Sequence, residues 1–364
     1  MISNPNSTSQ NDRDTRRIVA LLRQVEELRL VSRFTHHPGH AEQMCRGLTR
    51  GDVDLVLAVG GDGTVNEVVN GLLGSAEGHT PDPHRLPMLA VIPTGSANVF
   101  VRALGFPAEP VAAAGVLVDL LRRDLRRLIC LGTWNNRWFA VNTGFGIDAD
   151  VIAGVEKTRA AGLAATPLRY LTVALVAWQR AQHAPPQIDV EARSADGHDL
   201  SLRGVPMFVA SNTNPWTFFG PLPVVTNPHN SFDRGLGLFG LTDLRGLRGV
   251  VSMLNLIGVG HRSRMERWVR QRTIIFDDVG SATLTCPAPQ RFQADGEYEG
   301  ELDQVTLGRV PDALEVFAPR EEYPAPERRW RQVLRDLVGR YWPEVSTGDR
   351  SASCTVTLWR WASK

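Results

Sequence analysis

Residues 53–67 read VDLVLAVGGDGTVNE. Its first part is a continuous run of Val, Leu and Ala ending in glycines, the pattern of a strand buried on both faces of a parallel sheet. NEVVNGLL, 66–73, follows it as a helix. The turn between them, Gly60-Gly61-Asp62-Gly63-Thr64, puts glycines where the backbone must bend and be approached closely. The free N–H groups of the helix start then make a seat for phosphate. An aspartate inside an anion-binding loop calls for a cation to bridge it to the phosphates, and Mg²⁺ is the usual ion in that role. The plainer alternative, a tight turn capped by Asp62, explains the glycines one at a time but not their combination with Asp62 and Thr64.

The arrangement repeats downstream. PMLAVIP, 87–93, reads as a second buried strand, and TGSANVFVRALG, 94–105, as a loop and helix with Gly105 as its C′ residue and Pro107 as a stop. Ser96 is placed to cap that helix and still present a hydroxyl, and Asn98 offers both donors and acceptors. Two such loops at the carboxyl ends of two strands of one sheet share a crevice. Upstream, Ile18, Leu21, Leu22, Val25 and Leu28 predict a helix over 15–30, 31–34 a short strand, and 39–50 another helix. This alternation predicts an α/β layer domain over 1–125. From 126 the texture changes to short strand-like runs separated by Asn, Gly, Asp and Pro: RRLICLGTW, NNRWFAVNTG, IDVEARSADGHDLSL, VPMFVASN, TIIFDD and SATLTC. They predict a mostly β domain over 126–320, interrupted by helix-like stretches at 167–182 and 246–270. A tail, 321–364, carries a helix-like piece with Trp330 and Trp342 among arginines.

The 364 residues are enough for two domains and a core without staples, and a formal charge of +1 gives no global field toward nucleic acid. All the basic residues except Lys157 and Lys364 are arginine. With no lysine in the first 150 residues, a Walker-A loop and a protein-kinase strand lysine are both excluded there. Cys45, Cys130, Cys286 and Cys354 form no CxxC pair, which argues against a zinc ribbon and for a reducing compartment. The N-terminus lacks the apolar stretch of a signal peptide, and the longest apolar runs, near 171–178 and 249–259, are too short to span a bilayer. A cytoplasmic protein is the expectation, with peripheral contact at the inner face of the membrane left open. His36, His37 and His40 lack further ligands at diagnostic spacing for zinc. Arg262, Arg264, Arg267, Arg270 and Arg272 around Trp268 fit a solvated face or an anionic membrane surface.

Four segments together, GGDGT with Asn66-Glu67, PTGSAN at 93–98, NPNST at 4–8 and Asp295-Gly296-Glu297, resemble the bacterial diacylglycerol kinase-like lipid kinases, which include sphingosine and ceramide kinases. FAVN at 139–142 running into Gly146-Ile147-Asp148-Ala149 matches the start of that family's second domain, so the resemblance extends from Asn4 to about Pro319. It implies the NAD kinase/diacylglycerol kinase-like fold: a three-layer α/β nucleotide domain followed by a β-sandwich lipid-substrate domain. It implies ATP contacts at Asn4, Pro5, Asn6, Ser7, Thr8, Thr35, Gly61, Asp62, Gly63, Thr64, Val65, Asn66, Glu67 and Ser96. It implies Glu297 as the base that takes a proton from the lipid hydroxyl, with Asp62 acting through Mg²⁺ and diacylglycerol first among the acceptors. Without the glycine loops, Asp295-Gly296-Glu297 reads as a β-turn between strands.

Three departures from the family pattern stand out. Asn98 is followed by Val99 where many relatives have aspartate. Asp233-Arg234-Gly235-Leu236-Gly237 keeps the first aspartate of an Asp-Gly-x-Leu-Asp segment and loses the second, which puts a structural Mg²⁺ at Asp233 in doubt. Met1, Ile2 and Ser3 leave almost no first strand, so either that strand is a stub or the true start lies upstream. Two other readings are an NAD kinase-type enzyme, disfavoured by the missing Gly-Ser-Thr-Ala-Tyr type segment, and a catalytically silent nucleotide- or lipid-binding protein. Retention of both Asp62 and Glu297 speaks against the second. The sequence leaves the acceptor, the oligomeric state (a homo-oligomer included) and the role of the tail open.

Overall fold

In the computed structural model of the chain the described residues are 1–5, 12–78, 80–160, 167–219, 222–244, 246, 249 and 271–319. The first half alternates strand and helix: β1 (Ile2–Ser3), α1 (Asp12–Leu22), β2 (Arg33–Phe34), α2 (His40–Cys45), β3 (Leu55–Gly60), α3 (Asp62–Leu73), β4 (Met88–Pro93), α4 (Val99–Ala103) and α5 (Pro110–Arg122). Strands β2, β1, β3 and β4 lie side by side and parallel. α1 packs on α5 and α2 on α3, giving the helical layers of an α/β domain. β3 and β4 are buried almost throughout, because Val56 to Val59 and Leu89 to Ile92 have helices to cover them.

Two helices are shorter than their periodicity predicts. α1 stops at Leu22, where Gln24 N–H and Val25 N–H turn back to Leu21 and Leu22 carbonyls and the Arg122 guanidinium takes Gln24 O at 3.2 Å. α2 stops at Cys45 because Gly47 takes φ 75° and Asp52 holds the following turn through Thr49 N–H. β1 is a stub of two residues, yet it pairs with both β2 and β3 and so sets their order.

The second half contains β5 (Arg126–Trp134), β6 (Arg137–Phe139), β7 (Asn142–Gly146), α6 (Ile147–Ala160), α7 (Pro167–His183), β8 (Ile188–Ser194), β9 (Asp199–Val205), β10 (Met207–Ser211), β11 (Thr217–Phe219), β12 (Leu222–Val224), β13 (Leu236–Leu241), β14 (Thr273–Ala294) and β15 (Glu297–Phe317). α7 coincides with the helix predicted over 167–182. α6 was not anticipated; Gly146, at φ 74°, breaks β7 so that the chain can turn into it. The helix predicted over 246–270 and the tail fall almost wholly outside the described residues.

The long strands β14 and β15 hold this half together. Early in β14, Ile274 to Val279 pair with β13; its end, Phe292 to Ala294, pairs with β7; and β10 bridges β7 to β13. The sheet therefore folds back on itself, bent by the register shift between Thr285 and Gln290. A core of Phe139, Phe145, Ile188, Phe208, Leu238, Leu284, Phe292 and Leu307 fills the fold. The end of β15 returns to the first half: Val316 pairs in parallel with Leu89, and Leu314, Val316 and Phe317 join the core under the α/β sheet. One hydrogen-bonded sheet thus crosses both halves, and the hairpin at the start of β15 is carried to the crevice edge of the α/β layer.

Candidate active site

Parallel strands present their carboxyl ends at one edge of the sheet, and four of them do so in step. Asn4 N–H bonds Val59 O at 3.1 Å, Thr35 N–H bonds Ser3 O at 3.0 Å and Thr94 N–H bonds Gly60 O at 2.9 Å. Asn4, Thr35, the Gly60–Thr64 turn and the Thr94–Asn98 loop therefore line one edge. Ligands bind open α/β sheets at this edge. Pro5 is exposed there; Asn6, Ser7 and Thr8 lie outside the described residues.

The two glycine loops touch. A Cβ added to Gly61 would sit 3.1 Å from Gly95 Cα, and one added to Gly95 would sit 2.6 Å from Gly61 Cα. Only glycines allow that approach. Gly61 is the N-cap of α3 and has no side chain to take the first-turn N–H groups, so the helix start faces the crevice without a side-chain cap. Ser96 is exposed beside it.

Asp62 is engaged by the second loop. Its carboxylate oxygens accept Val99 N–H at 3.0 Å and Phe100 N–H at 2.9 Å, closing the start of α4 and tying one loop to the other. Burial pushes its pKa up, against the pull of those two amides and of Arg102. The cap expected from Ser96 is thus supplied by Asp62, each of whose oxygens accepts one backbone amide. Three other side chains expected at the nucleotide have partners within the protein. Val65 is buried in the core, Asn66 turns inward, and Glu67 accepts Gly39 N–H at 2.7 Å and Ala41 N–H at 2.9 Å at the start of α2.

The hairpin from the other half arrives at the same place. Asp295 (φ 49°) and Gly296 (φ 81°) make the tight two-residue turn between β14 and β15, so the β-turn reading of this segment holds. Asp295 is buried. One oxygen accepts Asn66 Nδ2 and Ala140 N–H, both at 2.7 Å; the other accepts Val141 N–H at 2.8 Å and Asn142 N–H at 3.1 Å. This carboxylate joins three of the motifs picked out in the sequence: α3, the 139–142 segment and the hairpin. Burial raises its pKa to about 6 despite those donors.

Glu297 follows and lies over Gly63, where an added Cβ would collide with Glu297 Oε1. Its outer side is open to solvent, but the surrounding protein crowds it. Burial first, then the charges of Glu67, Glu299, Asp295 and Glu156, push its pKa up to about 7. A group that ionises near neutrality at a glycine-lined helix start is suited to take a proton there.

Residues 1–144 match the model of the diacylglycerol kinase catalytic domain. The chain is 27% identical over 293 residues to a diacylglycerol kinase of Staphylococcus haemolyticus, covering 79% of this chain and 78% of that protein. It is 26% identical over 286 residues to one of Bacillus subtilis, covering 78% and 84%. The first 144 residues thus match a diacylglycerol kinase catalytic domain, and most of the chain is similar to diacylglycerol kinases. The crystal structure of a diacylglycerol kinase from Bacillus anthracis superposes with a TM-score of 0.62 at 18% identity, covering 88% of this chain and 96% of that one, which shows a shared fold.

In this lipid kinase the second aspartate missing at Gly237 has a steric counterpart: a Cβ there would lie 2.8 Å from Asn227 Cγ. Asp233 is exposed and paired with Arg127 at 3.4 Å. Among the described residues no group of three His, Cys, Asp or Glu is arranged to hold a metal ion. His37 and His40 stack at 4.6 Å instead. The sequence reading missed Asp148, whose buried carboxyl accepts Gln293 Nε2 at 2.7 Å and is raised by burial to about 6. It also missed Asn70 and Trp138; the available signal was Asn66 and Asn70 one turn apart within an otherwise apolar helix face.

Proposed function

We propose that this lipid kinase transfers the γ-phosphate of ATP, taken up as its Mg²⁺ complex, to a lipid hydroxyl, with diacylglycerol as acceptor and phosphatidic acid as product. The observation that carries the reading is the Glu297 carboxylate over Gly63, in the first turn of α3. Glu297 takes the proton of the acceptor hydroxyl. The oxygen bonds to the γ-phosphorus, the bond from that phosphorus to the β,γ-bridging oxygen breaks, and ADP leaves. Such transfer is mostly positioning and charge neutralisation. Backbone N–H groups and the positive end of α3 supply the protein's part, and Mg²⁺ neutralises charge as a component of the nucleotide. Residues 1–125 form the nucleotide domain, 126–320 the lipid-substrate domain. The enzyme acts peripherally at the cytoplasmic face of the membrane, where lipid and ATP meet; no helix among the described residues is long and apolar enough to cross it.

The test is transfer of labelled γ-phosphate from ATP with Mg²⁺ to diacylglycerol, monoacylglycerol, ceramide and sphingosine in mixed micelles, and to NAD. Label on diacylglycerol is expected. Label on NAD alone, or none with ATP bound, would overturn the assignment.

The base must be ionised to act, and its pKa is raised, so activity is lost as pH falls through about 7. With ATP as the varied substrate, kcat/KM should fall about tenfold per pH unit on the acid side of that value. An acid limb at the ordinary glutamate value of 4.5 would contradict the crowding around Glu297.

A further inference from the structure

Behind Glu297 lies a chain of buried amides whose direction agrees from both ends. Trp138 N–H, a backbone group that can only donate, meets the Asn70 amide at 3.0 Å, so the atom facing it is Oδ1. The other end of that amide is then Nδ2, which lies 3.0 Å from Asn66 Oδ1, 2.9 Å from Asn66 O and 3.1 Å from Trp138 O. With Oδ1 thus engaged, Asn66 presents Nδ2 to Asp295 at 2.7 Å and to Trp138 O at 3.2 Å. Asn66 and Asn70 are 6% and 4% exposed, so water cannot replace any of these partners cheaply.

We propose that Asn70 is a positioning residue for phosphate transfer: by donating to Asn66 Oδ1 it holds that amide, together with Trp138 O, with Nδ2 toward Asp295, and through Asp295 it holds Glu297 over Gly63. Were Asn66 reversed, its Oδ1 would confront a buried carboxylate already held by three backbone amides. The two-residue turn at Asp295 and Gly296 leaves no slack, so a shift of Asp295 is passed to Glu297. The inference rests on Glu297 being the base.

Asn70→Asp keeps an acceptor for Trp138 N–H but turns a second acceptor toward Asn66 Oδ1. Asn70→Ser is neutral and too short to reach Asn66. Both should lower kcat about tenfold or more, with KM for ATP and ATP bound per chain within about threefold of the parent. A loss in Asn70→Asp alone would mean that added charge, not amide direction, is responsible, and would overturn the proposal; so would parental kcat in both. Should the variants not fold, the parent chain decides. With ¹⁵N-asparagine, the side-chain amide signals of Asn66 and Asn70 should move together as Asp295 titrates, and stay still in Asp295→Asn. An Asn70 signal that stays put while that of Asn66 moves would refute the relay. This spectroscopic result needs no substrate, so full activity in Glu297→Gln with coupled amide shifts would dismiss the base and leave the relay standing.

Discussion

Glu297→Gln is expected to lower phosphate transfer by a factor on the order of 10²–10⁴, while ATP affinity stays within about threefold. The substitution keeps the shape of the side chain and removes its capacity to take a proton. In the proposed reading the nucleotide is held by backbone around Gly61, Gly63 and Gly95 and by the start of α3, none of which depends on that carboxylate. Removing a charge that four other carboxylates oppose should also relieve repulsion, so the variant should unfold at an equal or higher denaturant concentration. Loss of turnover with retained folding and ATP binding is the signature to look for. Turnover within about tenfold of the parent would remove Glu297 from the chemistry, because a missing base costs more than that. The acid limb near pH 7 should vanish in the same variant, which ties that limb to this residue rather than to Asp148 or Asp295.

Much of the architecture was legible because each signal was local. The buried runs of β3 and β4, the glycines after them and the change of texture at 126 all follow from which side chains a parallel or antiparallel strand can bury. What was not legible depends on who meets whom. Asp62 reads as a ligand of Mg²⁺ because a carboxylate in an anion-binding turn needs a reason. The partner that the linear motif does not show is a second loop, 37 residues on, whose amides it closes. Asn66 and Glu67 look like nucleotide contacts in the linear motif, yet their partners are Asp295 and the start of α2. α6 was missed because its apolar positions do not form a clean helical stripe; the helix is set by the Gly146 break and by Asp148, Asp150 and Glu156 reaching β14 and β15. Asp295-Gly296-Glu297 was readable twice over, as a turn and as a site, and the fold uses it as the turn that presents Glu297.

Gly63→Ala should separate the two jobs that glycine can have in the first turn of α3. Gly63 does not adopt a left-handed conformation, so alanine is tolerated by the backbone, and in a helix it is favoured over glycine by up to about 1 kcal/mol. The only clash is with Glu297 Oε1, the far end of a flexible side chain that can swing toward solvent. The folded state should therefore be as stable as the parent or more so. The displaced carboxylate, however, no longer sits where an acceptor hydroxyl meets the γ-phosphate, and a misplacement of about 1 Å at that point costs on the order of 100-fold in rate. Coupling gives the sharper test. In a Glu297→Ala background there is nothing left to displace, so adding Gly63→Ala should change the residual rate by less than about twofold, making the pair strongly non-additive. If Gly63→Ala costs the same in both backgrounds, the glycine serves the approach of the nucleotide instead, and its contact with Glu297 is incidental to catalysis.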